Sequence, residues 1–271
     1  MSDKKNIAIL GTGWLGLPLA KMLLKKGSSV KGSTTSEAKL DSLKAEGIQP
    51  YLVKVAAEGI SGDISGFLAE TDVLIVDIPP GLRKDPNFNF SGGIKKLSEE
   101  IEKAKVKKVL FVSSISVYAE TESFKIYTEA AAPNATSRGG KELAAAEKIL
   151  MKNPFFETTV LRFGGLFGPQ RHPVKYLAGR KNLSNPLGPV NLIHQEDCIG
   201  IILKILEKEV FGEVFNAVYP LSPPREEYYQ KKAKELGLEP PLFDHSKPSA
   251  GKIISASKAM RELDYEFKQP I

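Results

Sequence analysis

Three glycines, Gly11, Gly13 and Gly16, follow the apolar run Ile7-Ala8-Ile9-Leu10 and stand just ahead of a helical pattern. That spacing suits an anion cradle. The first glycine permits a tight turn, the second lets a pyrophosphate reach bare backbone, and the third lets the new helix pack closely on the strand. A helix start adds unpaired N–H groups and a partial positive charge. Gly11, Thr12, Gly13, Trp14, Leu15 and Gly16 are therefore expected to hold the pyrophosphate of a dinucleotide.

The position about twenty residues beyond such glycines chooses between cofactors, because an acidic residue there bonds the ribose 2′-hydroxyl of NAD. Here the stretch reads Gly32-Ser33-Thr34-Thr35-Ser36, with Lys39 one turn further on. Hydroxyls and a cation without a carboxylate accommodate a 2′-phosphate, so NADP is expected over NAD. A plain Ser/Thr helix cap is the alternative, and it suits either cofactor. Asp72 to Ile78 is a further apolar strand closed by Pro79-Pro80-Gly81, a sequence that cannot continue a ladder. Ligands collect at the ends of parallel strands, so Ile78, Pro79 and Pro80 are expected beside the cofactor.

Cations placed to meet a substrate anion are fewer. Arg162 ends a strand and could meet a ligand or pin its own loop; Arg171 and His172 lie in a loop past Gly168-Pro169, with Arg180 and Lys181 nearby. Exposed loop charge is the competing explanation for that pair. His/Asp/Glu residues show no metal-ligand spacing, so no metal is expected, and Ser114 lacks the local His and Asp of a hydrolase.

The elements that would position these groups alternate along the chain. Strands are expected at Ser28 to Ser33, Tyr51 to Val55, Asp72 to Ile78, Val106 to Val112 and Val160 to Phe163. Helices are expected from Leu15 to Lys26, Glu37 to Glu46, Gly93 to Lys105 and Thr136 to Met151, with a slight bend at Pro18. Ile60 to Ala69 reads as a short helix or loop, and Arg83 to Phe90 as irregular. The alternation predicts an α/β fold with a Rossmann-type doubly wound parallel sheet. Past Gly168 the pattern loosens around prolines, with strands near Val190 to Ile193 and Glu213 to Val218 and helices near Gln195 to Glu207, Glu226 to Leu236 and Lys258 to Leu263. Residues 1–168 are thus read as a dinucleotide-binding domain. Residues 169–271 are read mainly as a small C-terminal substrate lobe, with some segments returning to the core sheet.

Composition narrows the class. With 38 Lys+Arg against 32 Asp+Glu the formal charge is +6, spread along the chain rather than gathered into a nucleic-acid stripe. A single cysteine, Cys198, excludes an intramolecular disulfide and agrees with a reducing, cytoplasmic location. The opening apolar run stops at Gly11, too short for a signal peptide or a membrane span. The expected partners are a small anionic or carbonyl substrate and at most a second copy in a homodimer, with no nucleic acid and no membrane.

Taken in order, these landmarks resemble the extended short-chain dehydrogenase/reductase family, NAD(P)-dependent epimerase/dehydratase branch. The matching residues are Gly11 to Gly16, Ser113-Ser114-x-x-Val117-Tyr118, Lys141 on the next helix, Leu161-Arg162 with Gly168-Pro169, Ile193-His194 with Asp197, and Gly212-Glu213-Val214-Phe215-Asn216. The resemblance implies a relay in which Ser114 bonds the substrate oxygen, a tyrosine exchanges its proton, and Lys141 lowers that tyrosine's pKa and holds the ribose. It also implies that Asp197 caps a helix and His194 orders the turn before it. One member of the relay departs from the pattern, since the residue a helical turn before Lys141 is Ser137. A serine hydroxyl is a far poorer proton donor than a phenol. Three outcomes follow. A substitute such as Tyr118, Tyr127 or a water held by Ser137 serves the chemistry; the reaction needs no such acid; or NADP is held without turnover by a sensor or regulatory protein. Tyr127 falls in an apparently loose loop, which makes Tyr118 the candidate grouped with Ser114 and Lys141.

Overall fold

A computed structural model describes residues 4–82 and 85–271, so the expectation for Arg83 to Phe90 falls partly outside it. The first half of the chain runs β1 (Asn6–Leu10), α1 (Gly16–Lys25), β2 (Ser29–Thr34), α2 (Leu40–Ala45), β3 (Gln49–Ala56), β4 (Gly59–Gly62), α3 (Ile64–Leu68), β5 (Val73–Val76), α4 (Phe90–Lys103) and β6 (Lys108–Ser114). Then follow β7 (Ile126–Tyr127), α5 (Arg138–Met151), β8 (Glu157–Phe163), β9 (Gly165–Phe167), α6 (Val174–Leu177) and β10 (Leu192–His194). The chain closes with α7 (Gln195–Lys208), β11 (Val214–Ala217), α8 (Arg225–Glu235), β12 (Ile253–Ile254) and α9 (Ser257–Leu263).

Eight strands form one sheet in the order β11-β8-β6-β5-β1-β2-β3-β4. Parallel registers join β1 to β2 and β5, β2 to β3, and β5 to β6. This is the Rossmann-type α/β sheet, with its order reversing about β1. All four residues of β5 are buried, as a strand covered by helices on both faces requires. The loop leaving β1 lies at the topological switch, between strands that depart in opposite directions, where such sheets bind ligands.

One local expectation is corrected. Ile60 to Ala69 divides into a strand and a short helix, because β4 folds back antiparallel on β3 in the register Val55↔Ile60 and Val53↔Gly62. Gly62, at φ +95°, lets the backbone pass where a Cβ would strike the Leu52 carbonyl.

Two compact units divide the chain. The first comprises Met1–Ser114, Ser137–Leu161 and Glu209–Val214; the second comprises Ile115–Thr136, Arg162–Lys208 and Phe215–Ile271. The chain therefore passes between units several times, and the first crossing falls directly after Ser114. In the first unit, Ile94, Leu97 and Ile101 form the buried stripe of α4, and Ser113 Oγ donates to Glu147 of α5 at 2.6 Å. That buried bond ties α5 to β6. In the second unit, Phe167, Val174, Val190, Leu192, Tyr228, Tyr229 and Ala233 build a separate apolar cluster. Asp197 lies in the first turn of α7, and its carboxylate accepts from Tyr265 Oη at 2.9 Å and from the N–H groups of Lys268 and Gln269, holding the C-terminal tail to α7. His194 Nδ1 accepts the Glu196 N–H at 3.2 Å, at the turn into α7.

Candidate functional site

The glycine loop is built by close approaches that side chains would forbid. Gly11 has φ +108°, and a Cβ on it would stand 2.2 Å from the Asp77 carbonyl oxygen; a Cβ on Gly16 would stand 2.1 Å from the Gly11 carbonyl oxygen. Both lie well inside van der Waals contact with backbone, so glycine is required where loop and helix cross. Gly13 differs. Nothing lies within 4 Å of the place its Cβ would take, so its backbone faces open space. The first turn of α1 carries no acidic residue to cancel the positive end of the helix dipole. A pyrophosphate fits this arrangement, because bare backbone is presented at Gly13 beside the positive end of α1.

β2 fixes the loop from the side. Ser33, 2 % exposed, accepts the Gly11 N–H on its Oγ at 2.9 Å, and its carbonyl accepts Thr12 N–H at 3.0 Å and Thr12 Oγ1–H at 2.7 Å. Ser33 and Thr12 therefore shape the cradle with their side chains turned into the protein. Leu15 is likewise buried in the core and has backbone alone to offer, while Trp14 is half-buried. Beyond Ser33 the chain turns outward. Thr34 Oγ1 accepts the Ser36 N–H at 3.1 Å, Thr34 and Ser36 are half-buried, and Thr35 and Lys39 are exposed. No carboxylate stands at the end of β2.

Across the switch, β5 delivers Asp77, Ile78, Pro79 and Pro80. Ile78 and Pro80 are half-buried and Pro79 is exposed. Asp77 escaped the sequence reading. Its N–H bonds the Leu10 carbonyl at 2.8 Å, and its carboxyl sits under the loop, with Oδ2 3.3 Å from the place of a Gly16 Cβ. Burial pushes its pKa up to about 7, against the opposing pull of the Gly16 N–H. A detectable signal was its position, an acid closing the wholly apolar run Val73-Leu74-Ile75-Val76 at a strand end that faces the ligand side.

Ser114, at the end of β6, is half-buried, and Lys141, on the first turn of α5, is exposed. Ser137 is the N-cap of α5: its Oγ accepts the Gly140 N–H at 3.2 Å, and its carbonyl accepts the Lys141 N–H at 3.0 Å. The residue at the expected tyrosine position thus serves the helix start.

In the second unit, Tyr118 and Arg162 meet in the interior. Tyr118 is 1 % exposed and Arg162 4 % exposed, and Arg162 Nη1 donates to Tyr118 Oη at 2.6 Å. Tyr118 Oη also lies 3.1 Å from Asn216 Oδ1 and 3.2 Å from the Thr128 carbonyl, acceptors that share its single proton. Burial raises the Tyr118 pKa in spite of the opposing Arg162 charge. The phenol is thus held by Arg162 from one side and by Asn216 and Thr128 from the other. Tyr127 is not in a loose loop: it lies on β7, paired with β12, buried and stacked on Tyr118 at 4.6 Å between ring centroids.

Arg171 and His172 follow the tight turn in which Gly168 and Arg171 exchange backbone hydrogen bonds. His172 Nδ1 accepts the Val174 N–H at 3.2 Å, and its Nε2 lies 3.3 Å from Tyr228 Oη. Burial, then the Lys232 and Lys175 charges, lowers the His172 pKa and favours the neutral ring. His172 is thus anchored on α8 through Tyr228.

A hollow of about 600 Å³ lined by Lys4, Asn6, Ser29, Gly47, Gln49 and Thr71 opens at the start of β1, β2 and β3. It lies at the opposite strand ends from the glycine loop. Among the described residues no helix is long and apolar enough to cross a membrane.

Residues 11–206 match the family model described as NAD(P)H-binding. Protein YeeZ of Escherichia coli K12 is 34% identical over 269 residues, 98% of this chain and 97% of that protein. Two solved structures share the fold across nearly the whole chain. MoeE5 in complex with UDP-glucose and NAD has a TM-score of 0.80 at 16% identity, covering 98% of this chain and 94% of that one. UDP-N-acetylglucosamine 4-epimerase from Bacillus cereus has a TM-score of 0.78 at 17% identity, covering 98% and 92%.

Proposed function

This chain belongs to the NAD(P)H-binding family, and from that membership we propose that it is an atypical oxidoreductase or epimerase of the extended short-chain dehydrogenase type, taking NADP in the cytoplasm. Its substrate is a small carbonyl compound, sugar or nucleotide-sugar. The observation that carries the reading is the cradle, in which Gly11 and Gly16 admit no Cβ while Gly13 presents backbone to open space. NADP is favoured over NAD by the hydroxyl-bearing turn Thr34-Thr35-Ser36 and the exposed Lys39, with no carboxylate closing β2. The sugar-nucleotide ligands named for fold relatives support the substrate class.

A bound nicotinamide supplies or removes a hydride. This chain's own part is to hold the substrate oxygen on Ser114 and to bring the Lys141 ammonium to the ribose side. Ser137 Oγ accepts from Gly140, which leaves its hydroxyl proton for donation, so it is suited to position a water that exchanges the substrate proton. Screening carbonyl compounds and nucleotide-sugars for NADPH oxidation or epimer formation tests this. Activity abolished by Lys141→Ala is the expected result, and absence of turnover across the screen contradicts it.

A second reading, dinucleotide binding without turnover in a sensor or regulatory protein, is favoured by one observation. Two of the hydroxyls weighed as substitutes for the relay tyrosine have structural partners, Ser137 in the α5 cap and Tyr118 in Arg162 and Asn216. Tight NADPH binding with no turnover selects this alternative.

A further inference from the structure

We propose that Asp77 couples dinucleotide binding to proton uptake: the cofactor binds as this carboxyl group, seated beneath the Gly11 to Gly16 loop, takes a proton from the buffer. The inference rests on the reading that the loop holds NADP(H). Asp77 lies under both crossing points of the cradle, with its carbonyl against Gly11 and its Oδ2 against Gly16. Its carboxylate takes up the Gly16 N–H, one of the donors at the start of α1. An ionised Asp77 therefore withholds a donor from a phosphate and adds a like charge beside it.

Among the described residues, the other groups around Asp77 leave this charge uncompensated. β1 and its loop contribute Leu10, Gly11 and Thr12, and β5 contributes Val76, none of them ionisable. The first turn of α1 has no acidic residue; its basic Lys25 is in the last turn, and Lys21 pairs with Glu46. β6 pairs with β5 as far as the apolar pair Val76↔Phe111. Burial and the Gly16 N–H account for the Asp77 shift, and no described charged side chain contributes to it.

The sign follows from linkage. A pyrophosphate carries negative charge, so its arrival favours the neutral carboxyl and raises the Asp77 pKa further. Binding is then strongest below the pKa of the free protein, about 7, and weakens as pH rises through it. The limiting slope for one coupled proton is about tenfold in Kd per pH unit. Asp77→Asn keeps an acceptor for Gly16 and removes the charge.

Titration calorimetry with NADPH from about pH 6 to about pH 8, repeated in buffers of different ionisation enthalpy, reads both Kd and protons exchanged. The wild type is expected to lose about tenfold in affinity over this range and to take up a proton near neutrality. Asp77→Asn should bind as tightly at the upper pH as the wild type at the lower. Proton exchange that persists in Asp77→Asn comes from groups other than Asp77, the 2′-phosphate of NADPH among them, and is subtracted. NADH, which lacks that group, gives the proton count on the wild type alone should the variant not fold. Binding with the same pH slope and proton count in wild type and variant, or NADH binding to the wild type without uptake, overturns the proposal for Asp77 while leaving the cradle intact. No binding of either dinucleotide at any pH overturns both.

Discussion

Ser137 Oγ accepts the Gly140 N–H at 3.2 Å, so the residue standing where the resemblance calls for a tyrosine is the cap of α5, the helix that carries Lys141. A tyrosine cannot cap in this way, because its hydroxyl is too far from the backbone. Ser137→Ala is expected to cost about 1 kcal/mol through loss of the cap. For a chain of this size that corresponds to a fall of about 2–4 °C in Tm by scanning calorimetry. NADPH affinity should stay unchanged. If turnover is found, it should fall in this variant, because the hydroxyl that positions water is gone.

The glycines of the cradle make a paired prediction. Gly16→Ala places a Cβ 2.1 Å from a backbone carbonyl and should unseat the loop, lowering Tm and abolishing dinucleotide binding together. Gly13→Ala meets no protein atom within 4 Å and should fold with an unchanged melting curve. Its affinity for NADPH should nevertheless drop by about tenfold or more, since the new methyl group occupies space that a phosphate needs. Unchanged binding in Gly13→Ala would place the pyrophosphate elsewhere.

Whatever part Tyr118 and Arg162 take in chemistry, their burial predicts stability effects. Tyr118→Phe removes one partner each from Arg162 Nη1 and Asn216 Oδ1, both in a buried setting. The expected loss is about 1–3 kcal/mol in denaturant unfolding. Dinucleotide affinity should be retained, and a loss of turnover without a loss of stability would restore Tyr118 as a proton donor.

Much of the fold was legible because its signals are local and repeated. The apolar runs of β1, β5, β6 and β8, separated by helical periods, mark buried strands, and the glycine spacing marks the turn after β1. The β3–β4 hairpin was missed because Ile60 is a lone apolar residue between glycines and Ser61, and its pairing with Val55 is made by the tertiary fold. Site residues were harder to assign, since residue type does not say which way a side chain turns. Ser33 and Thr34 are neighbours of similar chemistry, yet Ser33 points inward to Gly11 and Thr34 leads the outward loop. Tyr118 reads as an active-site phenol, and nothing in its own segment announces its contacts with Arg162 and Asn216, distant in sequence.

The buried carboxyl of Asp77 also predicts how stability depends on pH. Its folded pKa, about 7, lies above the ordinary carboxyl value, so its contribution to stability is fully present below the unfolded pKa and is lost as pH rises through about 7. His172 acts in the opposite sense: its lowered pKa contributes stability above its unfolded value and loses it as pH falls through the folded one. Thermal melts of the wild type should therefore decline between about pH 5 and about pH 8 by an increment that disappears in Asp77→Asn. A wild-type and variant pair with parallel profiles would mean that Asp77 is ionised without penalty.

The most direct measurement is a calorimetric titration of the wild type with NADPH and NADH under identical conditions at low salt. The account predicts saturable one-to-one binding of both, tighter for NADPH, with Lys39→Ala reducing the difference. Failure of both dinucleotides to bind would contradict it at the root, and tighter binding of NADH would contradict the role given to Thr34, Thr35, Ser36 and Lys39.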